Sequence, residues 1–212
     1  MPDPQALRLM LVSDSALCGA RGLAEVVAAA VRGGVGSVQL REKHRDGREL
    51  VALARALKQQ LAPLGVPLIV NDRLDVALAA GADGVHLGQR DLSVADARRL
   101  WPQGLIGLSI ENPEQLRAAE ALAIDYYGAS PVFATPTKTD TAPALGLHGL
   151  AALRALTTRP LLAIGGITAA NAAAVRAAGA DGLAVVSALC AAADPEAAAR
   201  ALLHSAHFPE TA

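Results

Sequence analysis

The stretch PLIVNDRLDVALAAGADGVHLGQRD, residues 67–91, decides the fold of this chain. It opens with a short apolar run and continues through an alanine- and leucine-rich segment of helical period. A second short apolar run then follows. Gly81 comes directly after the helical segment, where a residue in the left-handed conformation closes the last turn. Residues 67–91 therefore predict a strand, a helix and a second strand, which is the repeating unit of an α/β protein.

The same alternation runs along the whole chain. The other strand candidates are LRLMLVSD near the N-terminus and residues 37–42, 105–110, 126–132, 160–166 and 182–189. Continuously apolar strands indicate a parallel sheet covered by helices, and eight strands is the number that closes. The sequence thus predicts an α/β fold consisting of a single (β/α)8 TIM barrel. The alternative is an open doubly wound sheet, which would favour a glycine-rich first turn unlike SDSALCGARG.

Composition sets the outer limits on function. A length of 212 residues fits one domain, 1–212, in which we expect residues 205–212 to be a frayed tail. The net charge of -1 predicts no nucleic-acid partner and no membrane surface, and the apolar runs are too short to span a bilayer. Cys18 and Cys190 form no disulfide framework and fit the cytoplasm. The oligomeric state stays open, with a homo-oligomer as one option.

Active sites of such barrels lie at the C-terminal ends of the strands, and polar residues are concentrated there. Strand two ends in Gln39, Leu40, Arg41, Glu42 and Lys43, and its alternation points residues 39, 41 and 43 to one side. One amide and two cations suit a polyanionic substrate that carries a polar ring. The alternative is an ordinary charged loop in which Arg41 and Glu42 pair outside the barrel.

The next two strand ends carry carboxylates. Asn71 and Asp72 end strand three, and Asp91 follows strand four. Two carboxylates beside an amide suit Mg²⁺, which completes its coordination with water and phosphate oxygens. The alternative is that each aspartate caps the helix after it. The sequence thus predicts small phosphorylated molecules as substrates and Mg²⁺ as the cofactor.

The remaining strand ends offer hydroxyls, an ammonium group and glycines. Strand five ends at Ser109, and strand six leads into a loop that would contact phosphate through Thr135, Thr137 and Lys138. A plain turn made by proline and threonine is the alternative. Strands seven and eight lead into Gly165–Gly166 and Val186–Ser187, the usual phosphate region of this fold. His86 is interpreted as a core or inner-rim residue, and Trp101 as packing.

These motifs resemble the thiamine-phosphate synthase family nearly from end to end. The resemblance is carried by VQLREK (38–43), VND (70–72), GVHLGQRD (84–91), PVFATPTK (131–138), AIGGIT (163–168) and VVSA (185–188). It implies Mg²⁺-dependent condensation of an aminopyrimidine diphosphate with a thiazole phosphate, which gives thiamine phosphate and diphosphate. The chain differs from many members of that family at position 111, where they carry histidine and it carries Glu111. We interpret Glu111 as a first-turn acid of the next helix.

The resemblance also implies residue roles. The pyrimidine diphosphate would be held by Gln39, Leu40, Arg41, Glu42, Lys43, Asn71, Ser109 and Lys138. The thiazole phosphate would be held by Thr135, Pro136, Thr137, Gly166, Val186 and Ser187, and Mg²⁺ by Asp72 and Asp91. Three other functions stay open at this point: a thiazole tautomerase, a sugar-phosphate aldolase or epimerase, and an inactive barrel that binds thiamine precursors as a sensor.

Overall fold

The computed structural model describes residues 3–135 and 143–208. In these ranges eight parallel strands form a closed barrel in sequence order, β1 to β8, and β8 pairs with β1. The prediction of a (β/α)8 barrel is confirmed. The strands are β1 Leu9–Val12, β2 Ser37–Leu40, β3 Leu68–Asn71, β4 Gly84–Leu87, β5 Leu105–Ile110, β6 Tyr126–Ala129, β7 Leu161–Ile164 and β8 Gly182–Val185.

Helices connect the strands on the outside of the barrel. Within the described ranges they are α1 Ser15–Cys18, α2 Gly22–Arg32, α3 Gly47–Leu61, α4 Leu74–Ala80, α5 Val94–Leu100, α6 Pro113–Ala119, α7 Gly146–Arg154, α8 Ala169–Ala177, α9 Ser187–Cys190 and α10 Pro195–Ser205. Short 3-10 turns lie at Pro4–Leu7, Gly19–Arg21 and Ala62–Leu64. No helix in these ranges combines the length and the hydrophobicity needed to cross a membrane.

The strands carry two separate apolar cores because successive side chains point to opposite faces. The larger core lies between the strands and the helices, and Leu9 and Leu11 contribute to it from β1. The smaller core fills the barrel, where Met10 and Val12 of the same strand join residues of β3, β6, β7 and β8. The inner core does not extend to the C-terminal ends of the strands, where polar side chains line the inside of the barrel.

An aspartate clamp closes the N-terminal end of the barrel at three places. Asp83, Asp125 and Asp181 each precede an even-numbered strand, and each accepts a hydrogen bond from a backbone N–H within the first two residues of the strand before it. Each carboxylate also binds a cation from the helix that precedes the earlier of those two strands, namely Lys58 on α3, Arg98 on α5 and Arg154 on α7. These charges therefore stabilise the end of the barrel opposite to the cavity described below.

The last described helix, α10, follows β8 and packs against α2 and α8. Helix α10 begins at the predicted cap Asp194, with Pro195 in its first turn. After Ser205 the chain continues to Phe208, which is buried with its ring 4.4 Å from the guanidinium carbon of Arg176. Residues 209–212 lie outside the described ranges. The assignment of 1–212 to one domain and of 205–212 to a frayed tail stays a prediction.

Candidate active site

One cavity of about 870 Å³, including its open mouth, lies at the C-terminal end of the barrel. Of the residues predicted for the site, its lining includes Gln39, Arg41, Asn71, Ser109, Thr135, Gly166, Val186 and Ser187. These residues come from strands distributed around the barrel. The strand ends therefore meet around one cavity, as the placement of an active site in this fold requires.

Strand β2 places its residues on two sides of the barrel wall. Gln39 and Arg41 line the cavity, and the Gln39 amide donates a weak hydrogen bond to the Met10 sulfur, at 3.4 Å. Leu40 is buried in the outer core, so its side chain does not reach the cavity. Lys43 is exposed beyond the strand, and with Arg41 it lies close enough to Asp72 to oppose the rise in that carboxyl's pKa.

Glu42 anchors the start of the loop that follows β2. Its Oε1 accepts hydrogen bonds from the Ser13 hydroxyl at 2.9 Å and from the Ser15 backbone N–H at 3.0 Å. Ser13 Oγ in turn accepts the backbone N–H of Arg41 at 2.9 Å. The Glu42 carboxylate is thus engaged with the loop after β1 and fixes the backbone of Arg41. In this geometry the side chain positions a cavity residue.

Asp72 and Asp91 meet at the ends of neighbouring strands. The backbone N–H of Asp72 donates to the carbonyl of His86, and Asp72 has a φ of 62°, in the left-handed region that aspartate tolerates better than most residues. Asp91 Oδ2 accepts the backbone N–H of Gly88 at 2.7 Å. The capping alternative is wrong, because the N-cap residues of α4 and α5 are Arg73 and Ser93.

The Asp91 carboxyl perturbs the pKa of Asp72. Burial, followed by hydrogen bonding to the Asp91 carboxyl, raises the pKa of Asp72 to about 6. Two carboxylates at this distance repel each other when both are ionised, and a bound cation would relieve that repulsion. Within residues 3–135 and 143–208 no group of three or more histidine, cysteine or acidic side chains is arranged to hold a metal ion.

Strand β5 contributes Ser109 to the cavity, and its neighbours are held by local hydrogen bonds. The Gln89 amide donates to the Ser109 carbonyl at 2.6 Å. Glu111 lies just before the N-cap of α6, Asn112, so its interpretation as a first-turn acid is wrong. The Glu111 backbone N–H donates to Gln115 Oε1 at 2.8 Å, which ties Glu111 to the start of α6.

The loop after β6 packs against the glycine pair after β7. The N–H of Phe133 donates to the Gly165 carbonyl at 3.1 Å. A Cβ on Gly166 would lie 2.8 Å from Phe133 Cβ, so glycine allows this approach. Thr135 lines the cavity beside this contact. Pro136, Thr137 and Lys138, which the sequence also predicted for this loop, lie outside the described residues.

Sequence reasoning missed a hydrogen-bonded set inside the cavity. The sequence predicts a core or inner-rim position for His86, and the residue is buried there. Its two ring nitrogens contact the Tyr126 hydroxyl at 3.0 Å and the Ser109 hydroxyl at 2.9 Å. Tyr126 also lines the cavity, although it is absent from the predicted site residues. Strand alternation could have found it, because Tyr126 lies two and four residues before Gly128 and Ser130, which also line the cavity.

The fold and the site together define a class, a (β/α)8-barrel enzyme with polar and charged residues collected around its C-terminal mouth. The comparisons with known proteins narrow that class. A family model described as thiamine monophosphate synthase matches residues 9–189. The thiamine-phosphate synthase of Albidiferax ferrireducens is 61% identical over 192 residues, which is 90% of this chain and 88% of the relative. The chain belongs to the thiamine monophosphate synthase family, which confirms the resemblance seen in its motifs.

Two further comparisons agree. The thiamine-phosphate synthase of Xanthobacter autotrophicus is 57% identical over 203 residues, covering 95% of this chain and 96% of the relative. The solved structure of thiamine phosphate pyrophosphorylase from Pyrococcus furiosus has a TM-score of 0.88 at 35% identity, with 96% of both chains covered. By contrast, a 3-hexulose-6-phosphate synthase structure shares the fold with a TM-score of 0.69 at 21% identity.

Proposed function

We propose that this chain is a transferase of thiamine biosynthesis. It joins 4-amino-2-methyl-5-hydroxymethylpyrimidine diphosphate to thiazole phosphate and releases diphosphate. One observation carries the proposal: a single cavity is bordered on one side by Gln39, Arg41 and Asn71 and on the other by Gly166 and Ser187. The first group suits an aminopyrimidine with a diphosphate tail, and the second suits a phosphate held by backbone N–H groups. Family membership supplies the identity of the two substrates.

The donor set beside the cavity fits Mg²⁺. Asp72 and Asp91 bring two carboxyl groups into contact, and Mg²⁺ usually takes one or two carboxylates while water and substrate phosphate complete its shell. We propose that these two residues hold the ion. When bound, Mg²⁺ would neutralise charge that develops on the leaving diphosphate.

The residues of the chain act by binding and by electrostatics. Arg41 in the cavity and Lys43 at its rim supply positive charge where the diphosphate leaves. The bond between the pyrimidine methylene and the diphosphate oxygen breaks, and the electron pair leaves with the diphosphate. The lone pair of the thiazole nitrogen then forms the new carbon–nitrogen bond. We propose that Lys138 adds a further cation, as the family resemblance implies.

No general base is needed, because the attacking thiazole nitrogen carries no proton. The chain therefore has to orient two substrates and exclude water rather than move a proton. A Schiff-base aldolase would need a desolvated lysine inside the barrel. Among the described residues that line the cavity there is no lysine, and Lys43 is exposed.

The cytoplasm is the compartment we propose for the reaction. Cys18 and Cys190 are buried free thiols, which fits a reducing environment. Burial raises the pKa of the Cys190 thiol to about 12, so this sulfur stays protonated and unreactive at neutral pH. These two residues therefore contribute packing at the ends of α1 and α9 and are given no part in the chemistry.

The test is to measure thiamine phosphate formed from the two substrates, with Mg²⁺ and with excess EDTA. Product that appears with Mg²⁺ and disappears with EDTA is the expected result. Product that is equally abundant in EDTA would refute the metal assignment but keep the reaction. Folded protein that binds thiazole phosphate and forms no product under either condition would refute the synthase and favour the tautomerase or the sensor.

A further inference from the structure

His86 lies buried between two hydroxyl groups at the floor of the cavity. Its Nδ1 is 3.0 Å from the Tyr126 hydroxyl, and its Nε2 is 2.9 Å from the Ser109 hydroxyl. Tyr126 is only 1% exposed, whereas Ser109 is half-buried and lines the cavity. A continuous hydrogen-bonded chain therefore runs from a fully buried phenol through an imidazole to a hydroxyl at the substrate surface.

The neighbouring strands leave room for this chain. A Cβ on Gly107 would lie 2.2 Å from Tyr126 Cζ and 2.5 Å from His86 Nδ1. A Cβ on Gly128 would lie 3.0 Å from His86 Cε1. Two glycines on adjacent strands thus accommodate the same pair of rings, one of them at a distance that no other residue would allow. The ring pair is built into the barrel and does not merely fill a gap.

The buried phenol determines where the hydrogens lie. A hydroxyl hydrogen out of water needs an acceptor, and the partner of the Tyr126 hydroxyl among the described residues is His86 Nδ1. If Tyr126 donates to Nδ1, that nitrogen carries no hydrogen, and the neutral ring carries its hydrogen on Nε2. The Nε2–H then donates to Ser109 Oγ. The hydrogen of the Ser109 hydroxyl is left free to point into the cavity.

We propose that Tyr126 and His86 are positioning residues that make Ser109 a hydrogen-bond donor toward the substrate. This inference rests on the proposed function, since it assigns a role to a residue of that same cavity. With the hydrogen directed inward, Ser109 recognises an atom with a lone pair. A diphosphate oxygen or a pyrimidine ring nitrogen meets that requirement, whereas the exocyclic amino group of the pyrimidine does not.

The first test reads the tautomer directly and needs no activity. Nitrogen-15 NMR of the histidine rings distinguishes a protonated Nε2 from a protonated Nδ1, and the His86 signals are identified by their loss in His86→Gln. We expect the wild-type protein at neutral pH to show hydrogen on Nε2 alone. Hydrogen on Nδ1, or on both nitrogens, would overturn the proposal. This measurement on the wild-type protein decides the question even where Tyr126→Phe or Ser109→Ala fails to fold.

The second test asks whether Tyr126 acts through Ser109. We expect Tyr126→Phe to lower kcat/KM about three- to tenfold, the usual effect of weakening one hydrogen bond. In a Ser109→Ala background the same change should have less than about a twofold effect, because the hydroxyl that Tyr126 orients is gone. An equal loss in both backgrounds would contradict the proposal, since Tyr126 would then act independently of Ser109.

A matched control is the neighbouring tyrosine. Tyr127 is also fully buried, but its hydroxyl donates to Glu120 on the outer side of the barrel. Tyr127→Phe should cost stability and leave kcat/KM unchanged, which separates loss of a buried hydroxyl from loss of the directed donor. If the wild-type protein makes no thiamine phosphate, the proposed function fails, and the tautomer measurement still decides whether the hydrogen placement is correct.

Binding of single probes identifies the acceptor. Inorganic diphosphate with Mg²⁺ carries the oxygen acceptors, and the pyrimidine alcohol carries the ring nitrogens. Ser109→Ala and Tyr126→Phe should both weaken the binding of the probe that carries the acceptor, with an increase in Kd of about three- to tenfold. Unchanged affinity for both probes in both variants would overturn the assignment of Ser109 as the donor.

Discussion

Removing the Glu42 carboxylate should weaken the hold of this protein on its diphosphate substrate, although the carboxylate itself is turned away from the cavity. Glu42 accepts hydrogen bonds from Ser13 and Ser15, and Ser13 accepts the backbone N–H of Arg41. Glu42→Ala removes a charged acceptor, which typically contributes about 1.5–3 kcal/mol. Water can replace the carboxylate as the acceptor at half-buried Ser15. We therefore expect the free energy that holds this segment in its ordered conformation to fall by about 2 kcal/mol.

That loss should appear in catalysis because Arg41 depends on the loop. A change of about 2 kcal/mol corresponds to roughly a thirtyfold decrease in kcat/KM for the pyrimidine diphosphate. Glu42→Gln keeps an acceptor oxygen and should stay within about threefold of the wild-type value. Steady-state kinetics at saturating thiazole phosphate measure both variants. Glu49→Ala, which removes a carboxylate from the first turn of α3, is the control and should have no effect.

Two results would refute this explanation. Wild-type kinetics in Glu42→Ala would mean that the Ser13 and Ser15 contacts do not hold Arg41. An equal loss in Glu42→Gln and Glu42→Ala would mean that the negative charge matters, which favours the direct contact implied by the family resemblance. The structure favours the anchoring role, because both hydrogen bonds to Oε1 come from the segment after β1, from Ser13 and from the first residue of α1, Ser15.

Three further variants separate metal binding, stability and phosphate binding. Asp72→Asn should lower kcat/KM by roughly a hundredfold or more, because it removes a proposed ligand of Mg²⁺. It should also raise the melting temperature of the metal-free protein at pH 8. The pKa of Asp72 is raised to about 6 in the folded protein, so at pH 8 the ionised carboxylate lowers the stability of the wild-type protein. Near-normal turnover would refute the assignment of Asp72 as a metal ligand. Asp125→Ala should lower the free energy of unfolding in urea by about 3 kcal/mol at unchanged kcat/KM, since a buried N–H and an arginine lose their acceptor. Gly166→Ala should raise KM for thiazole phosphate by about tenfold. The added Cβ would displace Phe133, and alanine is strained at the φ of +63° that Gly166 adopts. Gly65→Ala, with φ +67° and open space around it, is the control and should change stability alone.

Much of the barrel could be predicted from the sequence because its strands are short, apolar and regularly spaced. The predicted strand 105–110 agrees with β5 at both ends. Strand alternation also placed Gln39 and Arg41 on one side, and both line the cavity. The same rule did not decide between a metal site and helix caps at Asp72 and Asp91. The capping question depended on the residue at which each helix begins, and the N-caps of α4 and α5 are Arg73 and Ser93.

Contacts between distant segments could not be predicted. His86 and Tyr126 are separated by 40 residues, and their contact depends on the register of three adjacent strands. The partners of the aspartate clamp pose the same problem. Asp83 and Asp125 precede their strands visibly in the sequence, but the cations that bind them lie 25 and 27 residues upstream, on α3 and α5. Only the closed barrel brings these segments together.

The two ends of the barrel therefore have different physical tasks. The aspartate clamp pairs each carboxylate with a cation and a backbone N–H, so its charges are neutralised inside the protein. At the opposite end, Asp72 and Asp91 lie against each other near Arg41, and burial together with Asp91 raises the pKa of Asp72 despite the nearby Arg41 and Lys43. Joint binding of a metal ion and a polyanion to such a site is favourable. The metal ion neutralises the two carboxylates, and the polyanion neutralises the nearby cation Arg41. Binding of the metal and of the diphosphate should consequently be cooperative, so that saturating diphosphate substrate lowers the Mg²⁺ concentration needed for half-maximal activity.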